Sequence, residues 1–116
     1  MSTIARALVT FVAVEHLYFL VLEMFLWKTP FGRKTFGTTP EFAAETASMM
    51  ANQGLYNGFL AAGLLWAAYT GAPSLAIFFL GCVVVAGVVG GLTVKRAILF
   101  LQALPAAIAL AVVLMR

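Results

Sequence analysis

The chain reads as an all-α protein. The expected form is a polytopic, four-transmembrane-helix antiparallel bundle with an amphipathic helix in the first loop, all one integral membrane domain over 1–116. Three observations predict it. Of 116 residues, 64% are hydrophobic and 9% charged, against roughly 25% charged in a soluble domain. The mean hydropathy is +1.06. The apolar residues fall into four runs, at 4–27, 52–69, 75–94 and 97–114, each near the ~20 residues a helix needs to cross ~30 Å of hydrocarbon. The composition excludes disorder, a coiled coil and a disulfide scaffold. A barrel would need alternating strands of about ten residues, and open sheet edges are not tolerated in lipid.

Taken in order, the first span runs from Ile4 to Trp27. It is too long for the apolar core of a signal peptide and carries carboxylates, so no cleavable leader is expected. The first loop, Lys28 to Ala51, is long for a bundle connection. Its first half, Thr29-Pro30-Phe31-Gly32-Arg33-Lys34, reads as irregular. A helix is expected from Thr39-Pro40-Glu41, where Thr39 caps, Pro40 suits the first helical position and Glu41 complements the positive helix end. It can run straight into the second span, Asn52 to Tyr69. Thr70-Gly71-Ala72-Pro73-Ser74 is a tight turn with Pro73 opening the third helix. Thr93-Val94-Lys95-Arg96 is a short basic turn into the fourth. Helices joined this closely lie as antiparallel neighbours.

The net charge of +3 does not point to nucleic acid, because the cations flank apolar runs. Lys28, Arg33 and Lys34 lie in the first loop, and Lys95 and Arg96 in the third. Arg6 and Arg116 lie on the other side. The positive-inside rule then puts loops one and three in the cytoplasm and both termini outside.

The polar residues inside the spans carry the functional signal, since a carboxylate in a bilayer costs several kcal/mol unless paired, protonated or wetted. One face of the first helix reads Val12, Glu15, His16, Phe19, Glu23, and the opposite face Val14, Leu17, Val21. At ~1.5 Å per residue, His16 lies ~16 Å from Trp27 and Glu23 ~6 Å from it. On the second span, Asn52 and Tyr56 share one face, and Gln53 and Asn57 the next. In the fourth, Gln102 sits ~9 Å in from Arg96, and Pro105 frees the carbonyl of Leu101. His16 and Glu15 thus fall near the midplane and the other groups in the cytoplasmic half, which predicts a shared cavity floored by His16 and Glu15 and opening to the cytoplasm. The loop helix, with Glu41 and Glu45, would lie over its mouth. Asn52, Gln53 and Gln102 read equally well as bridges between helices. Glu23 reads equally well as a salt-bridge partner of Lys28, Lys95 or Arg96. Tyr18 and Trp27 read as core and interface aromatics.

Small residues mark packing faces: Gly54, Gly58 and Ala62 on the second span, and Gly87 and Gly91 on the third, beside Cys82, Ala86 and Gly90. They suit internal packing or a contact in a homo-oligomer. One His and one Cys exclude a protein-only zinc site and bis-histidine haem within one protomer. Cys82 reads as a small packing residue. No phosphate-binding loop and no nucleophilic triad can be assembled.

Glu15-His16-Leu17-Tyr18-Phe19 with Glu23-Met24-Phe25 resembles the first helix of a family of small bacterial membrane proteins, the domain of unknown function number 1304. The likeness continues at Gly32-Arg33-Lys34, at Ala51-Asn52-Gln53-Gly54-Leu55-Tyr56-Asn57-Gly58, and at Gly90-Gly91-Leu92-Thr93-Val94-Lys95. It implies four helices and brings no established activity. Two further likenesses carry mechanisms. Small multidrug transporters are similar in length and have a glutamate midway along the first helix, where Glu15 stands here. This chain departs from them in its long first loop, its His16 and its charge bias. Membrane-bound haem epoxide isomerases have an Asn-Gly pair early in the second helix, similar to Asn57-Gly58. Ala51 stands about where their haem-ligating histidine would be.

The expectation is a protein of the bacterial cytoplasmic membrane with a cytoplasm-facing polar pocket for a small, partly apolar molecule, acting as a small enzyme or binding protein. His16 would be the acid–base group, or a single axial ligand if haem is bound, with no other metal and no cofactor named. Glu15 and Glu23 would orient or charge-balance it. Asn52, Gln53, Tyr56, Asn57 and Gln102 would supply hydrogen bonds. The alternatives are a proton-coupled exporter using Glu15 and a structural membrane subunit.

Overall fold

The computed structural model describes residues 1–115, and no strand occurs among them. The helices are α1 (Thr3–Met24), α2 (Pro30–Phe36), α3 (Pro40–Thr70), α4 (Pro73–Thr93) and α5 (Leu104–Leu114), the last preceded by a π-helical turn at Leu99–Ala103. Two of them, α1 and α4, are long and apolar enough to cross a membrane. The 31-residue α3 is ~46 Å long, but Asn52, Gln53, Asn57 and its glycines dilute its apolar half. The run from Leu99 to Leu114 is apolar but shorter, because the π turn and Pro105 interrupt it.

The chain divides into two compact units. One joins Met1–Val14 to the chain from Leu60 onward; the other is Glu15–Phe59. In the first, the terminal unit, each helix gives one stripe at three- and four-residue spacing. The stripes are Ala5, Val9 and Val12; Leu64 and Ala67; Ala76, Leu80 and Val83; and Ala106, Ala109 and Val113. Small residues bring backbones close. A Cβ on Gly87 would lie 2.5 Å from the Ala103 nitrogen, and one on Gly91 would overlap Leu99. These two contacts run in opposite directions along the chain, so α4 and the π turn are antiparallel. Pro105 has no N–H to give, and the ladder widens by one residue ahead of it, with the Leu104 N–H reaching the Leu99 carbonyl.

Arg6, counted above as a flanking cation, is a helix cap. Its Nη1 donates to the carbonyls of Ala68 at 3.1 Å and Tyr69 at 3.4 Å, covering the negative end of α3. Gly71, at φ +69°, turns the chain there toward Pro73, the first residue of α4.

In the second, the middle unit, one expectation fails. The segment from Thr29 to Lys34 is the body of α2, not irregular chain. Thr29 Oγ1 accepts the Gly32 N–H at 3.1 Å and donates to the Leu26 carbonyl at 2.7 Å. Pro30 takes the first helical position, and Gly37, at φ +67°, ends the helix. This is the same Thr-Pro signal that opens α3, where Thr39 Oγ1 accepts the Phe42 N–H at 3.1 Å. From that cap α3 continues unbroken into the apolar run, as expected. A side chain on Gly32 would overlap the Leu26 carbonyl, so glycine sets how closely α2 docks. Trp27, buried, stacks at 4.8 Å on Phe36 and donates its indole N–H to Thr46 Oγ1 at 3.0 Å.

The small-residue stripe on α3 is also corrected. Gly54 is buried, Gly58 half-buried and Ala62 exposed, while Ala61 is buried. Steps of four residues advance about 40° beyond a full turn, so a four-residue repeat walks off the contact face. The inward stripe is Gly54, Asn57, Ala61, Leu64.

Candidate functional site

The buried side of α1 runs Ala5, Val9, Val12, His16, and Glu23 follows seven residues on, almost eclipsing His16. The expected outward face is also present: Val14, Leu17 and Val21 are exposed. His16 is fully buried, with the edge of its ring against Phe19 at 5.1 Å between centroids. Glu15 and Glu23 are half-buried.

Glu23 has a defined partner. Asn57 Nδ2 donates to its Oε1 at 2.6 Å. The partner is thus an amide and not Lys28, Lys95 or Arg96. Glycines on α3 create the contact. A Cβ on Gly54 would stand 2.6 Å from Met24 Cγ and 3.1 Å from Glu23 Cβ, and one on Gly58 would stand 2.6 Å from Leu20 Cδ1. Without side chains at 54 and 58, α1 and α3 approach until the short Asn57 side chain reaches the carboxylate. Asn57 is 6% exposed and Glu23 half-buried, so this hydrogen bond is partly shielded from water, which strengthens it. Glu15 differs: its Oε1 is buried and accepts no hydrogen bond.

Asn52, Gln53 and Tyr56 are all exposed. The reading that turned Gln53 inward with Asn57 is therefore corrected. On α3, Gln53 lies about 40° from Asn57 and about 100° from Gly54, at the edge of the inward stripe, and Tyr56 lies about 100° from Asn57 and about 160° from Gly54. Gln102 is half-buried in the π turn of the terminal unit. The middle unit thus brings together Glu23 and Asn57, on the α1 face that also carries His16 and, to one side, Glu15. Thr46, the partner of Trp27, escaped the sequence reading. A threonine on a polar helical segment carries no signal of its own.

Among the described residues, no group of three or more His, Cys, Asp or Glu side chains is placed to hold a metal ion. His16, the residue that the sequence offers as a single axial ligand, is fully buried. What the arrangement offers is two carboxylates on one helix, one accepting from an amide and one with a buried oxygen that accepts no hydrogen bond.

Residues 10–114 match the family model described as Protein of unknown function (DUF1304). The chain belongs to this family. The matched stretch takes in Glu15, His16, Glu23, Asn57 and the whole of α2, α3 and α4. No curated protein and no solved structure matches the chain.

Proposed function

We propose that this member of the family is a four-span protein of the bacterial cytoplasmic membrane whose α1–α3 polar centre binds a small, partly apolar molecule. The observation that carries the reading is the Asn57–Glu23 hydrogen bond, made on a helix long and apolar enough to cross a membrane. Glu15 and His16 stand near the middle of the same helix, Thr3–Met24, and ionisable groups inside a span are retained for function more often than for packing, because they cost several kcal/mol to insert. The spans are α1, the second half of α3, α4, and the π turn with α5. Their outward faces support this: Phe11 and Tyr18, Phe59 and Trp66, Phe78 and Val85, and Leu104 and Ile108 are exposed. Apolar side chains on this scale suit lipid contact.

Glu15 and Glu23, the half-buried pair, meet the ligand; Asn57 fixes the Glu23 carboxylate, and His16 backs them as an enclosed acid–base group. Asn52 and Tyr56, on the same helix as Asn57, serve as outer contacts. Lys28, Arg33, Lys34, Lys95 and Arg96 face the cytoplasm, and both termini lie outside. A cysteine at Lys34 should resist an impermeant thiol reagent in intact cells while one at Ala72 labels; the reverse pattern inverts the topology. The binding itself is tested on purified protein by native mass spectrometry and a visible spectrum. A released small molecule supports the reading, and a Soret band would identify haem. Protein carrying only lipid argues for a structural subunit.

A second reading, a proton-coupled exporter, is favoured by one specific observation, the buried Glu15 oxygen that accepts no hydrogen bond. Counterflow of tetraphenylphosphonium in proteoliposomes, lost in Glu15→Gln, would select it.

A further inference from the structure

The first loop holds a feature that the binding reading does not use. Between Glu23 and Glu41 there is no carboxylate, yet Lys28, Arg33 and Lys34 stand there. Three aromatic rings accompany them: Phe25 is 68% exposed, Phe31 55% and Phe36 36%. A mobile linker could carry such a composition without consequence. This segment is built. Thr29 caps α2, and the bare Cα of Gly32 presses on the Leu26 carbonyl. The Phe36 ring packs on Trp27, itself tied to Thr46. Arg33 Nε donates to the Lys28 carbonyl at 3.3 Å, which ties the Arg33 side chain to the backbone ahead of α2. Phe31 and Lys34 are three residues apart, so they share a side of α2, and both are exposed.

We infer that this docked helix is a recognition surface for anionic phospholipid headgroups. Phe25 and Phe31 enter the boundary between headgroups and acyl chains, as aromatic rings do at membrane interfaces. Lys28, Arg33 and Lys34 take the phosphates. Exposed rings and unopposed cations on one rigid segment complement an anionic, part-apolar surface, and a bilayer leaflet is the partner with both properties. The inference rests on the membrane reading above and names the lipid class it selects.

The test uses the full chain reconstituted in bilayers, with spin-labelled phosphatidylglycerol and phosphatidylcholine compared by electron paramagnetic resonance. The motionally restricted fraction should favour phosphatidylglycerol by about three-fold or more at low salt. Lys28→Ala with Arg33→Gln and Lys34→Ala should remove the preference, and the exposed Lys34→Ala alone should reduce it. Lys95→Ala with Arg96→Ala should leave most of it. Equal restriction of both lipids, or a preference lost only with Lys95 and Arg96, overturns the inference and leaves the membrane reading standing. No restricted component from either lipid overturns the membrane reading itself, and the inference with it.

Discussion

The two ends of α1 follow one spacing and fill it with different chemistry. Up to Val14 the buried positions hold Ala5, Val9 and Val12. Beyond it the same register holds His16 and, a further two turns on, Glu23. The partners differ in the same way. In the terminal unit α3 supplies Leu64 and Ala67 to an apolar core, whereas in the middle unit it supplies Asn57 to a carboxylate. A helix pair needs inward residues at these positions; it does not need them charged. The spacing therefore belongs to the fold, and the departure from apolar filling is what the proposed binding role would account for. Burying an imidazole and half-burying a carboxylate where valine and alanine serve next door costs stability, a cost that the proposed site in the middle unit would explain.

The comparison can be broken most forcefully at α4. Gly87→Leu drives a side chain into the Ala103 backbone, which cannot swing aside. It should lower stability by about 3 kcal/mol or more, read as a large fall in the melting temperature in detergent. Wild-type melting would mean that the terminal unit is not held by close backbone approach.

A smaller loss is expected at the polar pair. Asn57→Leu leaves the Glu23 carboxylate half-buried without its amide and should cost about 2 kcal/mol. Pairing it with Glu23→Leu should recover part of that loss, because an apolar pair replaces a broken polar one. Strictly additive losses in this cycle would show that the two side chains do not act on each other.

Gly58→Ala sharpens the contrast with Gly87. The Cβ meets only the end of the Leu20 side chain, which can rotate away, so the cost should stay under about 1 kcal/mol. Gln53→Ala sits at the bottom of the scale, within about 0.5 kcal/mol of wild type, because its side chain is exposed. A large effect there, in melting or in ligand retention, would restore Gln53 to the site.

Much of this was legible in the sequence. Thr39-Pro40, Gly71-Ala72-Pro73 and Gly87 with Gly91 announced a cap, a turn and a packing face through local stereochemistry alone. The heptad interval from His16 to Glu23 announced a shared face. Other features depended on three-dimensional neighbours. Thr29-Pro30 carries the same signal as Thr39-Pro40, but the close dock that makes α2 worth forming depends on Gly32 meeting the Leu26 carbonyl. Asn57 and Gln53 are chemically alike, and only the phase of α3 against α1 selects Asn57. Arg6 looked like any flanking cation until the carbonyls of Ala68 and Tyr69 stood beside it.

The central claim is that the polar filling of the middle unit binds a molecule instead of merely joining two helices. Native mass spectrometry and melting, measured together on wild type, His16→Leu and Glu23→Gln, test it most directly. The account predicts that the wild-type protein carries a non-lipid small molecule, and that both variants lose it while melting within a few degrees of wild type. A wild-type protein with no such molecule, and variants whose only change is a lower melting temperature, would contradict it.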